Sequence, residues 1–288
     1  MESLPKFLAN PCLDVITSQI VSHLDYQSVE VCSQVSQDFK IFINEDKRVW
    51  INLVKSLQKH EKLNPVWRQI CESYKDLSLD IETIREFVAT IDEYLRNGTE
   101  QFEDPIEYYG MMKQDFVKVD YLVEMFNQIN PIAGFWLACT YGTLGIVEKI
   151  YTEDTNVNFA PESGITPLMA SIVMNKMDIA EFLLDARRIN ILKQDANRLT
   201  AFMYACQYGR YDLVKKFIWG YGINLNAYEI DEDCKIGFRL AKNNNHLNVC
   251  GLLIEETNIR ACAASATDDP TLYSEVQQVY QSFFGCFY

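Results

Sequence analysis

Between Ala133 and Ile254 the chain repeats itself, and no other feature of the sequence restricts its fold as much. The segments "AGFWLACTYGTLGIVEKIY", "TPLMASIVMNKMDIAEFLL", "TAFMYACQYGRYDLVKKFI" and "IGFRLAKNNNHLNVCGLLI" begin at 133, 166, 200 and 236, so the steps are 33, 34 and 36 residues. Each copy follows one physical grammar. The third position is aromatic or Leu (Phe135, Leu168, Phe202, Phe238) and the sixth is small (Ala138, Ser171, Ala205, Ala241). The tenth is Gly or Asn (Gly142, Asn175, Gly209, Asn245), the residue types that end a helix in the left-handed conformation. An apolar pair follows four residues on: Ile146-Val147, Ile179-Ala180, Leu213-Val214 and Val249-Cys250. This is the pattern of a helix–turn–helix unit followed by a loop. Such a unit cannot bury its apolar face alone, so the copies are expected to stack.

The second copy, opening "GITPLMA", resembles the ankyrin repeat start G-x-T-P-L-H-x-A, with Met169 in place of His. The third copy resembles it less closely, and the first and fourth lack the Thr-Pro pair. The resemblance implies a protein-binding array in which contacts come from hairpin tips and from the exposed face of each first helix. Carried over position by position, the tips hold Glu162, Ser163 and Ile165, then Ala196, Asn197 and Leu199, then Glu232, Asp233 and Lys235. The helix faces hold Thr140 and Tyr141, Val173 and Met174, Gln207 and Tyr208, and Asn243 and Asn244. Tyr141, Met174 and Tyr208 fall on equivalent positions, and aromatics and Met are favoured at binding surfaces. Asp195 and Asp231 are expected to set turn geometry. His246 occupies the family's structural His position.

The N-terminal part also reads as helices. Leu13, Ile16, Ile20 and Leu24 share one face; Asp25 to Ser28 interrupts it, with Ser28 as the expected N-cap; Val29, Cys32, Val35 and Phe39 form a second face. Three short helices in so few residues bury too little surface to stand alone. The run "QIVSHLDYQSVEVCSQVSQDF" followed by "VWINL" resembles an F-box, gap-free from Ile20 to Phe39 and with Trp50 one residue late. Neither Leu4-Pro5 nor Pro11 lies at the family's usual distance for its leading proline. The resemblance implies docking on the Skp adaptor of a cullin–RING ubiquitin ligase. Ile16, Ile20, Val21, Leu24, Val29, Cys32, Val35 and Phe39 would divide between adaptor contact and the segment's own core. An F-box joined to ankyrin repeats resembles proteins with which intracellular pathogens and large viruses redirect a host's ubiquitin system. A second reading stays open: a plain ankyrin scaffold or sequestering protein whose N-terminal helices are a cap.

Between these parts, "DIETIREFVATIDEYLRNG" carries a helical stripe from Ile81 to Leu95 with Gly98 as a C-cap, and Asp104-Pro105 reads as a helix start. "DFVKVDYLVEMFNQI" gives another apolar stripe. The expected architecture is all-α: an F-box-like unit over 10–53, a helical spacer over 54–130, and repeats over 131–257 (about 133–165, 166–199, 200–235 and 236–257). A C-terminal helix over 258–288 covers the end of the stack.

Residues 61–130 hold 15 acidic and 7 basic side chains, a net of −8 out of −14 for the whole chain. That balance disfavours nucleic acid and anionic membrane as partners. The nine cysteines are widely spaced without a C-x-x-C, which fits reduced thiols and a cytoplasmic location, or a nuclear one. No phosphate loop, dinucleotide fingerprint or metalloprotease motif occurs, and only His23, His60 and His246 are present. The chain is therefore expected to be a binding protein rather than an enzyme, with no cofactor and no metal. Its expected partners are the adaptor and a target protein.

Overall fold

The computed structural model describes residues 24–35, 43, 46–74, 79–220, 228–257 and 270–284. Among them every regular element is helical, and the chain divides into two compact units, Met1–Gly134 and Phe135–Tyr288. Ile16, Ile20, Val21 and Phe39 of the expected adaptor face lie outside the described residues. Cys32 and Val35 fall on the first helix, but their side chains are outside the described set.

The first unit contains α1 (Tyr26–Val35), α2 (Lys47–Gln58), α3 (Pro65–Ser73) and α4 (Ile81–Asn97). A single turn, α5 (Pro105–Glu107), runs into a π-helical stretch, Tyr108–Lys113, and is followed by α6 (Phe116–Ile129). α4 is the axis of the unit. Asp80 starts it, its Oδ1 accepting the Thr83 N–H at 2.8 Å. Ile84, Phe87, Val88, Ile91, Tyr94 and Leu95 then bury one stripe, as their spacing predicts. α1 and α2 both pack against α4, and α3 packs against α2 and α6. Fully burying each such large apolar side chain contributes roughly 1.5–3 kcal/mol.

Several expectations change here. The cap of α1 is Asp25, not Ser28: Asp25 Oδ1 accepts the Ser28 N–H at 2.8 Å, so the helix begins before the residue expected to cap it. Ser28 also holds the Asp25 carboxyl pKa below its ordinary value. Val29 is fully buried and α1 lies on α4, which assigns Val29 to the unit's own core, while Leu24 is half-buried. The boundary expected at 53/54 falls inside α2, and the segment read as a spacer supplies the core, with Trp67, Phe87, Tyr94, Tyr108 and Tyr109 among its largest buried side chains. Gly98 does end α4, but in a right-handed conformation. Its role is close approach: a Cβ there would lie 2.6 Å from the Tyr94 ring and 2.9 Å from that of Tyr108.

Asp104 ties the lower half of this unit together. Its Oδ1 accepts the Ile106 N–H at 2.8 Å and starts α5, as the Asp-Pro pair predicts. Its Oδ2 accepts the Trp67 indole N–H at 2.9 Å and the Asn64 amide at 3.0 Å. Asn64 itself caps α3 through its Oδ1. Burial outweighs these three donors and pushes the Asp104 carboxyl pKa up.

The second unit stacks helix pairs: α7 (Pro131–Tyr141), which starts in the first unit, with α8 (Leu144–Ile150); α9 (Pro167–Val173) with α10 (Met177–Leu184); α11 (Ala201–Gln207) with α12 (Tyr211–Trp219); and α13 (Tyr228–Asn243) with α14 (Leu247–Glu256). The first helices pack on one another through α9–α11 and α11–α13, and the second helices through α8–α10 and α12–α14. The repeated positions do what the pattern predicts. Phe135, Leu168, Phe202 and Phe238 are buried, and the small residues Ala138, Ser171, Ala205 and Ala241 are fully enclosed between neighbouring helices.

The fourth copy departs from the others. Copies two and three start their first helix at Thr166 and Thr200, whose Oγ1 atoms accept N–H groups of Met169 and Met203. The fourth has Ile236 at that place and no cap, so α13 continues upstream to Tyr228. Glu232, Asp233 and Lys235, and Asp231 with them, therefore lie on a helix and not in a hairpin. Last, α15 (Pro270–Phe284) buries Leu272, Val276 and Val279 and packs on α14. Its Glu275 receives Arg239 Nε at 3.4 Å and Lys242 Nζ at 3.2 Å.

Replacing Asp104 by Ala removes a cap and leaves the indole of Trp67 and the amide of Asn64 without their acceptor, at a cost of about 2–3 kcal/mol. The folded pKa of Asp104 lies above the unfolded one, so its contribution is full below the ordinary Asp value and falls as pH rises toward the raised value. Urea unfolding of wild type and Asp104→Ala should accordingly show the larger difference in buffer at or below the ordinary Asp pKa than at neutral pH.

Candidate functional site

The candidate site is the face made by the first helices of the second unit and the loops that precede them. Its shape depends on how each copy grips the one before. After the first helices of the second, third and fourth copies a residue enters the left-handed region, Asn175 at φ 58°, Gly209 at 67° and Asn245 at 62°, whereas Gly142 after α7, expected in the same conformation, does not have a positive φ. The next residue is then aimed backwards at the preceding copy. Lys176 Nζ donates to the Tyr141 and Gly142 carbonyls at 3.0 and 2.6 Å. Arg210 Nε donates to the Ile172 carbonyl at 3.2 Å. His246 lays its ring on Gly209, where a Cβ would sit 2.4 Å from Nδ1. The expected structural role of His246 is thus this packing. The carbonyls at the ends of α7 and α9 each accept a cation from the following copy, which complements the negative ends of these helices.

The tips are fixed in a similar way. The Ala196 N–H donates to the Ser163 carbonyl at 3.1 Å, pairing the second and third tips. Gly164 permits this at φ 77°; a Cβ there would meet the Asp195 Cα at 2.8 Å. Asp195 is buried and holds its turn: Oδ1 accepts the N–H groups of Asn197 at 2.9 Å and Leu199 at 2.7 Å, and Oδ2 accepts the Tyr204 hydroxyl at 2.8 Å. Burial, and then this bond, push the Tyr204 phenol pKa up. The turn role expected of Asp195 is the one found.

On this scaffold the sequence-derived residues separate. Glu162, Asn197 and Asn243 are exposed. Ile165 is half-buried, its carbonyl accepting the Trp136 indole N–H at 2.8 Å. Val173, Leu199 and Gln207 are half-buried. Tyr141, Met174 and Tyr208 do not form an even row: Tyr141 is buried, Met174 is half-buried, and Tyr208 is exposed. The Tyr208 ring stacks on Tyr204 at 6.4 Å with the Arg210 guanidinium 5.8 Å from its centroid. Glu232 is exposed and paired with Lys235 at 2.7 Å, and Asp233 lies 3.4 Å from Thr200 Oγ1, all on α13 rather than at a tip. Sequence reading missed Tyr211 and Trp219, exposed on α12 and separated by two helical turns. Their spacing would have located them had second helices been scanned for outward aromatics.

The cysteines Cys139, Cys206 and Cys250 are buried, and burial raises all three thiol pKa values, that of Cys250 to about 11. Among the described residues no cluster of His, Cys, Asp and Glu is arranged to hold a metal, and no helix is long and apolar enough to cross a membrane.

Gly209 is both left-handed and in contact with His246, so Gly209→Ala strains the backbone and displaces the ring. The expected loss is about 1–3 kcal/mol, measured as a lower melting temperature of the full chain.

In comparison with known proteins, a family model described as ankyrin repeats (3 copies) matches residues 135–229. No curated protein matches the chain.

Proposed function

We propose that this protein is a non-enzymatic substrate receptor that holds a target protein on its repeat face and docks through its N-terminal segment on the Skp adaptor of a cullin–RING ubiquitin ligase. The observation that carries the first half is the ankyrin-repeat match over 135–229, which implies a protein–protein interaction role. Glu162, Ile165, Val173, Met174, Asn197, Leu199, Gln207, Tyr208 and Asn243 form the target face in this reading, with Tyr208 as its aromatic anchor. The second half rests on the gap-free F-box-like order of residues from Ile20 to Phe39. In such a complex catalysis belongs to other subunits, and this chain contributes effective concentration.

The alternative is a scaffold without a ligase, in which the N-terminal helices are a cap. Val29, inside the F-box-like run, is spent on the unit's own core. Among the described side chains of α1, the exposed apolar one is Val31, at 60%, which the sequence reading did not select.

Two measurements on the full chain test the two halves. Co-purification with the Skp adaptor should succeed and should be lost in Val31→Asp without a change in melting temperature. Failure to capture the adaptor where a known F-box chain does so leaves the scaffold reading. Separately, Tyr208→Ala should release proteins retained from cell lysate by the wild type, with the melting temperature unchanged, because the ring is 36% exposed. An identical retained set would remove Tyr208 from the face.

A further inference from the structure

The first unit exposes an apolar corner where the π-helical stretch meets α6. Tyr108 and Tyr109 point inward and are buried; the Tyr109 hydroxyl donates to the Thr90 carbonyl at 3.0 Å and to Glu93 Oε2 at 2.8 Å. With these rings anchored, the residues that follow face solvent. Met111 and Met112 are exposed, the latter 61%, and so are Phe116 and Val117, the latter 82%. Four of the exposed large hydrophobic residues thus fall within seven positions. Between them Gln114 takes a left-handed conformation, φ 52°, closing the π-helical stretch before Asp115 caps α6 through the Lys118 N–H at 3.1 Å. π-helical segments and left-handed non-glycine residues both cost stability and concentrate where function requires them. Nothing about the core demands that the side chains at 111, 112 and 117 be apolar; polar residues there would be more soluble.

The electrostatic setting selects what this corner would bind. From Glu103 to Glu124 there are, besides the buried Asp104, five carboxylates and two lysines, and both lysines are drawn to Glu93, Lys113 at 2.9 Å and Lys118 at 3.6 Å. The unit as a whole, Met1–Gly134, holds 22 acidic and 13 basic residues, a net of −9. A second copy of the chain would bring the same negative charge against the corner, and an anionic lipid surface is repelled in the same way. A basic partner is attracted. The two methionines are unbranched and adjust to the packing of an incoming side chain, and the Phe supplies a rigid anchor.

We propose that Met111, Met112, Phe116 and Val117 form a docking corner for a basic amphipathic helix of another protein. This site is made by elements other than α1 and by the first unit alone, so it stands independently of the adaptor and of the repeat face.

The test uses the full chain and two synthetic amphipathic helices of about five turns. Both carry the same Leu face, one with Lys and one with Glu on the polar side. Calorimetric titration should show binding of the Lys peptide and none of the Glu peptide, with affinity falling as salt is raised. The double variant Met112→Ser, Val117→Ser should bind the Lys peptide about tenfold more weakly or worse while melting at the wild-type temperature. Equal binding of the two peptides overturns the proposal. So does unchanged affinity of the double variant, which would reduce the effect to general acidity. Self-association in light scattering that the double substitution abolishes would assign the corner to a second copy, and recruitment to phosphatidylserine vesicles would assign it to lipid; either result overturns the basic-helix reading.

Discussion

The second unit depends on one recurring constraint: a helix pair of this size cannot complete its own burial or satisfy its own helix ends, so each copy must be finished by the next. The residue after each left-handed turn does this. Lys176 and Arg210 reach the carbonyls at the ends of α7 and α9, and His246 fills the space left open by Gly209. Three different side chains solve the same problem at one position, because the requirement is for something long or flat that can reach backwards, not for a particular group. Enclosed small residues at the sixth position let the helices come close enough for that reach. The last copy has no successor, and α15 supplies the missing cover, its Glu275 receiving Arg239 and Lys242.

The first unit has no repeat and is held differently. Asp104 is its counterpart to the backward reach, a single carboxylate that starts α5, fixes the indole of Trp67 and orients the Asn64 that caps α3. Its raised pKa reveals the tension in this arrangement: the group is needed as an acceptor where burial disfavours its charge. Around it sits an aromatic core of Trp67, Tyr94, Tyr108 and Tyr109, with Tyr74 stacked on Phe87 at 4.0 Å. A core this extensive makes residues 54–134 the body of a domain rather than a connector.

Legibility followed the range of the interactions. The helical stripe from Ile81 to Leu95, the Asp104-Pro105 turn and the repeated helix pairs were readable because caps, stripes and breakers act within one or two turns. Errors came where a distant partner decides. The place of Ser28 was lost to Asp25 only three residues away, since both are good caps and the packing of α1 on α4 chooses between them. Val29 was left between adaptor contact and the segment's own core, because an apolar face does not say whether a partner or the same chain covers it. Tyr141 looked like Tyr208 because they are equivalent by register, yet one is buried and the other exposed. Glu232, Asp233 and Lys235 were placed in a hairpin by periodicity, although Ile236 at the capping position leaves nothing to stop the helix upstream.

By itself, then, the sequence determined the helical class, the period of the stack, the residues that end each helix and the acidic balance that favours basic or neutral partners. These are properties of composition and of neighbours along the chain. Only the tertiary structure decided which apolar residues are core and which face outward: Val29 inside and Val31 outside on one short helix, Tyr141 inside and Tyr208 outside at one repeat position, and Met112 and Val117 exposed at a π-helical corner that no periodicity announces. The physical reason is that burial belongs to a pair of surfaces, and the second surface is brought to the first by the fold.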